Sequence, residues 1–147
     1  MDCKLCELNE SSKRDYSYFK EYKHWNVRVT PIQHSLGCFV ISLKRHIETF
    51  SDANEEEMKN LLEVQKDVER RLIKMFNPDR FNYIQLGNVM RHLHFHLIPR
   101  YKDPRNFAGK EWQDKMFTET PGLAPIFKQD KDPQELIEEL KEELIKL

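Results

Sequence analysis

The apolar positions of this chain follow two rhythms, one short and one long. Trp25 to Val29 alternates weakly between apolar and polar residues and reads as a strand. Gly37 to Leu43 (GCFVISL) is a stronger strand, rich in Val, Ile and Phe. The rhythm then lengthens. Met58, Leu61, Leu62, Val68, Leu72, Met75 and Phe76 recur at helical spacing with Glu, Lys and Arg between them, which predicts a long amphipathic helix. Asp52 followed three residues later by Glu55 predicts a capping box at its start. Asn77-Pro78 predicts its end, because proline disfavours helical geometry in the residue before it. Phe81 to Leu86 and Leu93 to Ile98 read as two further strands, with Gly87-Asn88 as a turn.

From Tyr101 to Lys131 the pattern fades, broken by Pro104, Gly109, Pro121, Gly122 and Pro125. A loop of that length in a small domain is often functional or packs on a neighbouring chain. Asp132-Pro133 then opens a last helix, with Glu135 completing its box and Leu136, Ile137, Leu140, Leu144 and Leu147 as its stripe. Strands, helix, strands, helix in that order predict an α+β domain with an antiparallel sheet.

Composition narrows the picture. A chain of 147 residues that is 39% hydrophobic can fill one core, so one domain over residues 1–147 is expected. The charges nearly cancel, 24 Lys plus Arg against 25 Asp plus Glu. Long nucleic acid is usually met by a basic excess, so phosphate chemistry here has to be local, in a pocket. No apolar run approaches the roughly 20 residues that span a bilayer. Met1 to Asn9 is polar and unlike a signal peptide. The three cysteines, Cys3, Cys6 and Cys38, are an odd number that does not suggest a disulfide framework, and a reducing cytoplasm is the expected compartment.

The chemistry concentrates in Arg91-His92-Leu93-His94-Phe95-His96-Leu97-Ile98-Pro99-Arg100. In a strand, alternate side chains share a face, so Leu93, Phe95 and Leu97 face a core while three imidazoles line the other side. A solvated face more often takes Lys, Glu or Thr. Two chemistries fit: the histidines chelate a catalytic metal that activates water, or one imidazole attacks phosphorus while its neighbours hold the phosphate and help the leaving group depart. Cys3-x-x-Cys6 has the spacing of half a zinc site. A structural zinc needs four ligands, and His46 and His92 are the best candidates for the other two. With His92 spent on zinc, only His94 and His96 remain on the strand face, which favours histidine chemistry over a second metal.

The run His92-Leu93-His94-Phe95-His96-Leu97-Ile98 resembles the signature of the histidine triad family at every position, and Pro99-Arg100 continues as in many members. The resemblance extends over the Cys3/Cys6 pair in the N-terminal segment 1–8, Leu43-Lys44-Arg45-His46, the long helix and the terminal helix 133–147. It implies an α+β half-barrel, usually a homodimer, that binds purine nucleotides. It also implies cleavage between an α-phosphate and its leaving group, in dinucleoside polyphosphates or nucleoside phosphoramidates. On that resemblance His94 is the nucleophile, forming a covalent nucleotidyl-histidine, and His96 is a phosphate ligand and proton donor. His92, Cys3, Cys6 and His46 hold a structural zinc, and no catalytic metal is expected.

Members carry a longer loop before the signature, with a Gln four residues before the first histidine. Here that position is Asn88, whose amide still reaches toward phosphate but is one methylene shorter. The resemblance leaves two other classes open: a nucleotide-binding regulatory module with negligible turnover, and a mononuclear metallohydrolase using all three histidines. Arg91, Arg100 and Arg105 are read as solvated or as steering polyphosphate. Trp112 reads as a loop anchor, His24 and His34 as structural or surface residues, and Cys38 as a small buried filler.

Overall fold

The computed structural model describes residues 2–121 and 133–147. Five strands form one antiparallel sheet: β1 (Tyr18–Glu21), β2 (Trp25–Val29), β3 (Phe39–Leu43), β4 (Arg80–Ile84) and β5 (His94–Arg100), in the order β1-β2-β3-β5-β4. Helices α1 (Lys4–Asn9), α2 (Glu55–Phe76) and α3 (Pro133–Ile145) complete the α+β architecture. A separate hairpin, β6 (Arg105–Phe107) with β7 (Lys110–Trp112), lies in the stretch expected to be aperiodic.

The sheet has two unlike faces. Trp25, Val27, Val29, Phe39, Ile41, Leu43, Leu93, Phe95 and Leu97 bury one face against Leu61, Val64, Val68 and Leu72 of α2 and the apolar stripe of α3. Alternation explains this assignment, since every second residue of a strand shares a face. The other face carries Asn26, Arg28, Ser42, His94 and His96, and α1 with its neighbours covers part of it.

Several boundaries differ from the sequence reading. The box that opens α2 is Asn54 with Glu57: each side chain bonds the other's backbone N–H at 2.9 Å. Asp52 instead ends a 3₁₀ turn, Phe50–Asp52. Arg45 selects this register by binding the Glu57 carboxylate at 2.8 and 2.9 Å. Leu62 is 51% exposed because a helix turns by about 100° per residue, which rotates it off the stripe of Leu61, Val64, Val68 and Leu72. α2 ends as expected at Asn77, whose left-handed φ of 48° lets its N–H reach the carbonyls of Leu72 and Ile73.

β3 begins at Phe39 and not at Gly37, since Gly37 has φ +87° and stands in the turn before it. A Cβ there would come within 2.7 Å of Leu72 Cδ2, so glycine lets the turn approach α2. The hairpin β6–β7 turns on Ala108 and Gly109, both with positive φ. That is the two-residue turn normally written Asn-Gly, and alanine disguised it. Of the last helix's stripe, Leu136, Ile137, Leu140 and Leu144 are buried, while Leu147 follows the helix end and is 36% exposed. The capping position Asp132 lies outside the described residues.

Candidate active site and metal centre

β5 lies inside the sheet between β3 and β4, so His96 is paired on both sides, while His94 is paired to β3. Ser42 pairs with His94, Ile41 with Phe95 and Val40 with His96. Leu93, Phe95 and Leu97 point into the core, as the alternation predicts. The imidazoles of His94 and His96 stand on the opposite face, ring centroids 5.2 Å apart and edge to face.

His94 is almost wholly buried, and its Nδ1 lies 2.6 Å from the His92 carbonyl oxygen. A carbonyl can only accept, so Nδ1 carries the hydrogen, and in the neutral ring Nε2 keeps the lone pair. This is the tautomer a nucleophile requires. His96 is half-buried; burial, followed by the charges of His94 and His34, holds it below the ordinary histidine value. His34, expected to be structural or superficial, is buried in the turn before β3 and is one of the groups acting on His96. Its sequence context, Gln33-His34-Ser35, carries no spacing signal.

The third histidine leaves the row. His92, fully buried, places Nε2 at 2.6 Å from the Leu43 carbonyl oxygen, which leaves Nδ1 as the free electron pair. That Nδ1 lies 3.4 Å from Cys3 Sγ, 3.4 Å from Cys6 Sγ and 3.2 Å from His46 Nδ1. Cys6 Sγ and His46 Nδ1 are 3.3 Å apart. Tetrahedral zinc, with Zn–S about 2.3 Å and Zn–N about 2.05 Å, gives S···N edges of about 3.6 Å and an N···N edge of about 3.3 Å. The four side chains therefore already have nearly the spacing of a zinc tetrahedron, with all donor atoms within 4.8 Å of one another. Cys3 caps α1 and Cys6 lies in its first turn, which aims both sulfurs at one point. Burial and the neighbouring Cys3 push the Cys6 thiol up to about 11, so a cation is needed to hold it as thiolate at neutral pH.

The other candidates fall elsewhere. Asn88 is exposed, in the segment between β4 and β5. Arg91 pairs with Glu48 at 2.8 Å on the surface. Arg100 is neither solvated nor free for phosphate: it is buried against Asp114 at 2.6 and 3.2 Å, and it ties residues 114–119 to β5. Arg105 caps α2, donating to the carbonyls of Phe76 and Asn77. Trp112 is a buried anchor whose indole N–H meets the Phe107 carbonyl at 3.1 Å. His24 lies 3.6 Å from Glu56 near the surface. Cys38 is a buried filler, its thiol pushed up to about 12 by burial.

With the triad strand and the Cys₂His₂ cluster in place, the chain can be set beside known proteins. The family model described as HIT domain matches residues 27–103. The chain belongs to the histidine triad, or HIT, family. An uncharacterised HIT-like protein of Mycoplasma genitalium is 23% identical over 111 residues, covering 72% of this chain and 78% of that protein. A HIT-like protein of Methanocaldococcus jannaschii is 34% identical over 72 residues, covering 45% of this chain and 54% of its own length. Among solved structures, a hypothetical histidine triad nucleotide-binding protein from Sulfolobus tokodaii superimposes with a TM-score of 0.69 at 21% identity, covering 98% of this chain and 93% of that one. A zinc-bound histidine triad family protein from Mycobacterium smegmatis does so with a TM-score of 0.65 at 16% identity, covering 99% and 95%. These two likenesses establish the fold.

Proposed function

We propose that the protein is a nucleotidyl hydrolase or transferase that cleaves at the α-phosphate of a dinucleoside polyphosphate or nucleoside phosphoramidate. The observation that carries the reading is the hydrogen bond from His94 Nδ1 to the His92 carbonyl, at 2.6 Å. It presents a buried imidazole with a free Nε2 electron pair, in a family whose signature strand the chain contains. Nε2 attacks the α-phosphorus, a P–N bond forms, and the bond from phosphorus to the leaving group breaks with its electron pair going to that group. A His96 N–H donates a hydrogen bond to a phosphoryl oxygen or to the departing atom, and solvent supplies the proton the leaving group takes up. Water, or an acceptor hydroxyl in transfer, then attacks phosphorus, the P–N bond breaks and His94 returns. Asn88 sits on the adjacent loop, from which its amide N–H groups would meet a phosphate oxygen once substrate is present.

Zinc belongs at Cys3, Cys6, His46 and His92, where it would supply charge to hold two thiolates and tie distant segments together. Its role in this reading is structural. Both ring nitrogens of His92 are engaged, one by Leu43 and one in the cluster, which leaves two histidines on the strand face and weighs against a metallohydrolase. The family resemblance also supports a homodimer, and the three free cysteines support a reducing, cytoplasmic setting. Among the described residues no helix is long and apolar enough to cross a membrane.

The test is a turnover panel of adenosine and guanosine dinucleotides and phosphoramidates, run on wild type and His94→Ala, with α-labelled substrate quenched without acid. Wild type should turn over at least one compound and carry label on histidine; the variant should bind nucleotide and fall to background. Binding without turnover in wild type would favour a regulatory module. Near-normal turnover by the variant would end the covalent mechanism.

A further inference from the structure

We propose that Asn9 is a positioning residue, which couples the metal-binding N-terminal helix to the histidine strand so that the metal centre helps to place His94. The inference rests on the functional reading above. Asn9 is the last residue of α1 and lies three positions after Cys6, so the two are neighbours on one helix face. Its carboxamide faces the polar side of the sheet and uses both ends. Nδ2 donates to the Leu43 carbonyl at 3.0 Å. That same oxygen receives His92 Nε2 at 2.6 Å, so one carbonyl orients a metal-cluster histidine and anchors α1. Oδ1 accepts from Asn26 Nδ2 at 3.0 Å, Arg28 Nη1 at 3.3 Å and Ser42 Oγ at 3.4 Å.

Those donors are not scattered. Asn26, Ser42 and His94 are successive register partners across β2, β3 and β5, so Asn9 grips the row that ends at the proposed nucleophile. Arg28 adds a second link, donating also to the Leu8 carbonyl and, at 3.5 Å, to Ser42 Oγ. Asn26 and Ser42 are fully buried and Arg28 is 4% exposed. Polar groups buried to this degree need partners, and here α1 supplies most of them. Arg28 Nε and Asn26 Oδ1 have none even with α1 in place. Displacing α1 would take an acceptor from Asn26 Nδ2, Arg28 Nη1 and Ser42 Oγ together, which would oblige the row to rearrange. Arg100 offers a contrast: equally buried, it is neutralised by Asp114 and depends on nothing from the N-terminal segment.

The test compares Asn9→Leu, which keeps the volume and removes the hydrogen bonds, with Asn9→Asp, which keeps the acceptor oxygen facing Asn26, Arg28 and Ser42 and loses only the donor to Leu43. Both should hold one zinc per chain. Asn9→Leu should lower kcat about 10- to 100-fold with KM unchanged, the usual range for partners one shell out from a site. It should also shift the ring ¹H–¹³C resonances of His94 while zinc stays bound; Asn9→Asp should recover most of the loss. If Asn9→Leu does not fold, Ser42→Ala removes a smaller part of the same network and should shift the same resonances. Wild-type kcat, or unmoved His94 resonances, in the folded variant overturns the coupling. So does full activity restored to Asn9→Leu by excess zinc, which would mark Asn9 as serving only metal retention. Absence of turnover in wild type would overturn the functional reading instead, and the resonances would still decide the coupling.

Discussion

At the scale of single residues, the site is organised by carbonyl oxygens that dictate which nitrogen of each imidazole is free. Leu43 O takes His92 Nε2, and His92 O takes His94 Nδ1. In the proposed site the result is opposite tautomers two residues apart, one to offer Nδ1 to a metal and the other Nε2 to a substrate. Among the described residues no carbonyl clamps His96, which remains half-buried, consistent with a hydrogen-bonding role. His96→Ala should therefore leave measurable but impaired turnover, about 10²- to 10⁴-fold below wild type, while His94→Ala falls to background. Steady-state kinetics on the two variants checks this order. Equal loss in both, with label still trapped on histidine in His96→Ala, would contradict it. The triad's spacing made His92, His94 and His96 legible in the sequence. His34, Asn9 and Ser42 were not, because each reaches the site from a different segment and their importance lies only in what they meet.

Among the secondary-structure elements, α2 holds both neighbours through one carboxylate. Asp67 accepts from Lys20 at 2.7 Å and Tyr22 at 2.6 Å near β1, and from Arg70 and Arg71 on its own helix. Arg71 passes the link to α3, donating to the Leu144 carbonyl at 2.9 Å. Burial works to raise the Asp67 carboxyl, yet these four donors outweigh it and hold the group below the usual carboxylate range. A depressed folded value means that the stabilisation is fully present above the unfolded value of 3.8 and is lost as pH falls below it. Asp67→Asn should cost about 1–3 kcal/mol at pH 7, by urea denaturation. The gap between variant and wild type should begin to narrow below pH 3.8, as the unfolded chain takes up the proton, and keep narrowing toward the depressed folded value. A gap independent of pH would show that packing, not ionisation, carries the effect. The helix itself was legible from its apolar period, but its cap was not: Asn54 and Glu57 won over Asp52 and Glu55 because Arg45, from another segment, fixes Glu57.

Across the whole molecule, the metal cluster joins the N-terminal segment to the turn after β3 and to the entry of β5. Those segments are 40 to 89 positions apart in sequence. Ligand bonds across such distances act on folding as well as on metal affinity. Cys3→Ser should lose zinc and melt several degrees lower, by metal analysis and thermal denaturation, while chelator should inactivate wild type slowly rather than at once. Full zinc content in the variant would remove Cys3 from the ligand set, and immediate, metal-reversible inactivation would point to a catalytic ion. By itself the sequence determined the α+β class, the apolar stripe and the end of α2, the two-faced strand of histidines and the four side chains proposed to hold zinc. These are set by local periodicity and by side-chain chemistry that survives any register. Only the tertiary structure decided that Arg100 is a buried clamp, that His92 turns away from the row, that residues 105–112 form a hairpin, and that Asn9 reaches across to Ser42. Each depends on a partner brought close by strand order, and a residue's spacing along the chain carries no record of which buried donor or acceptor it will have to satisfy.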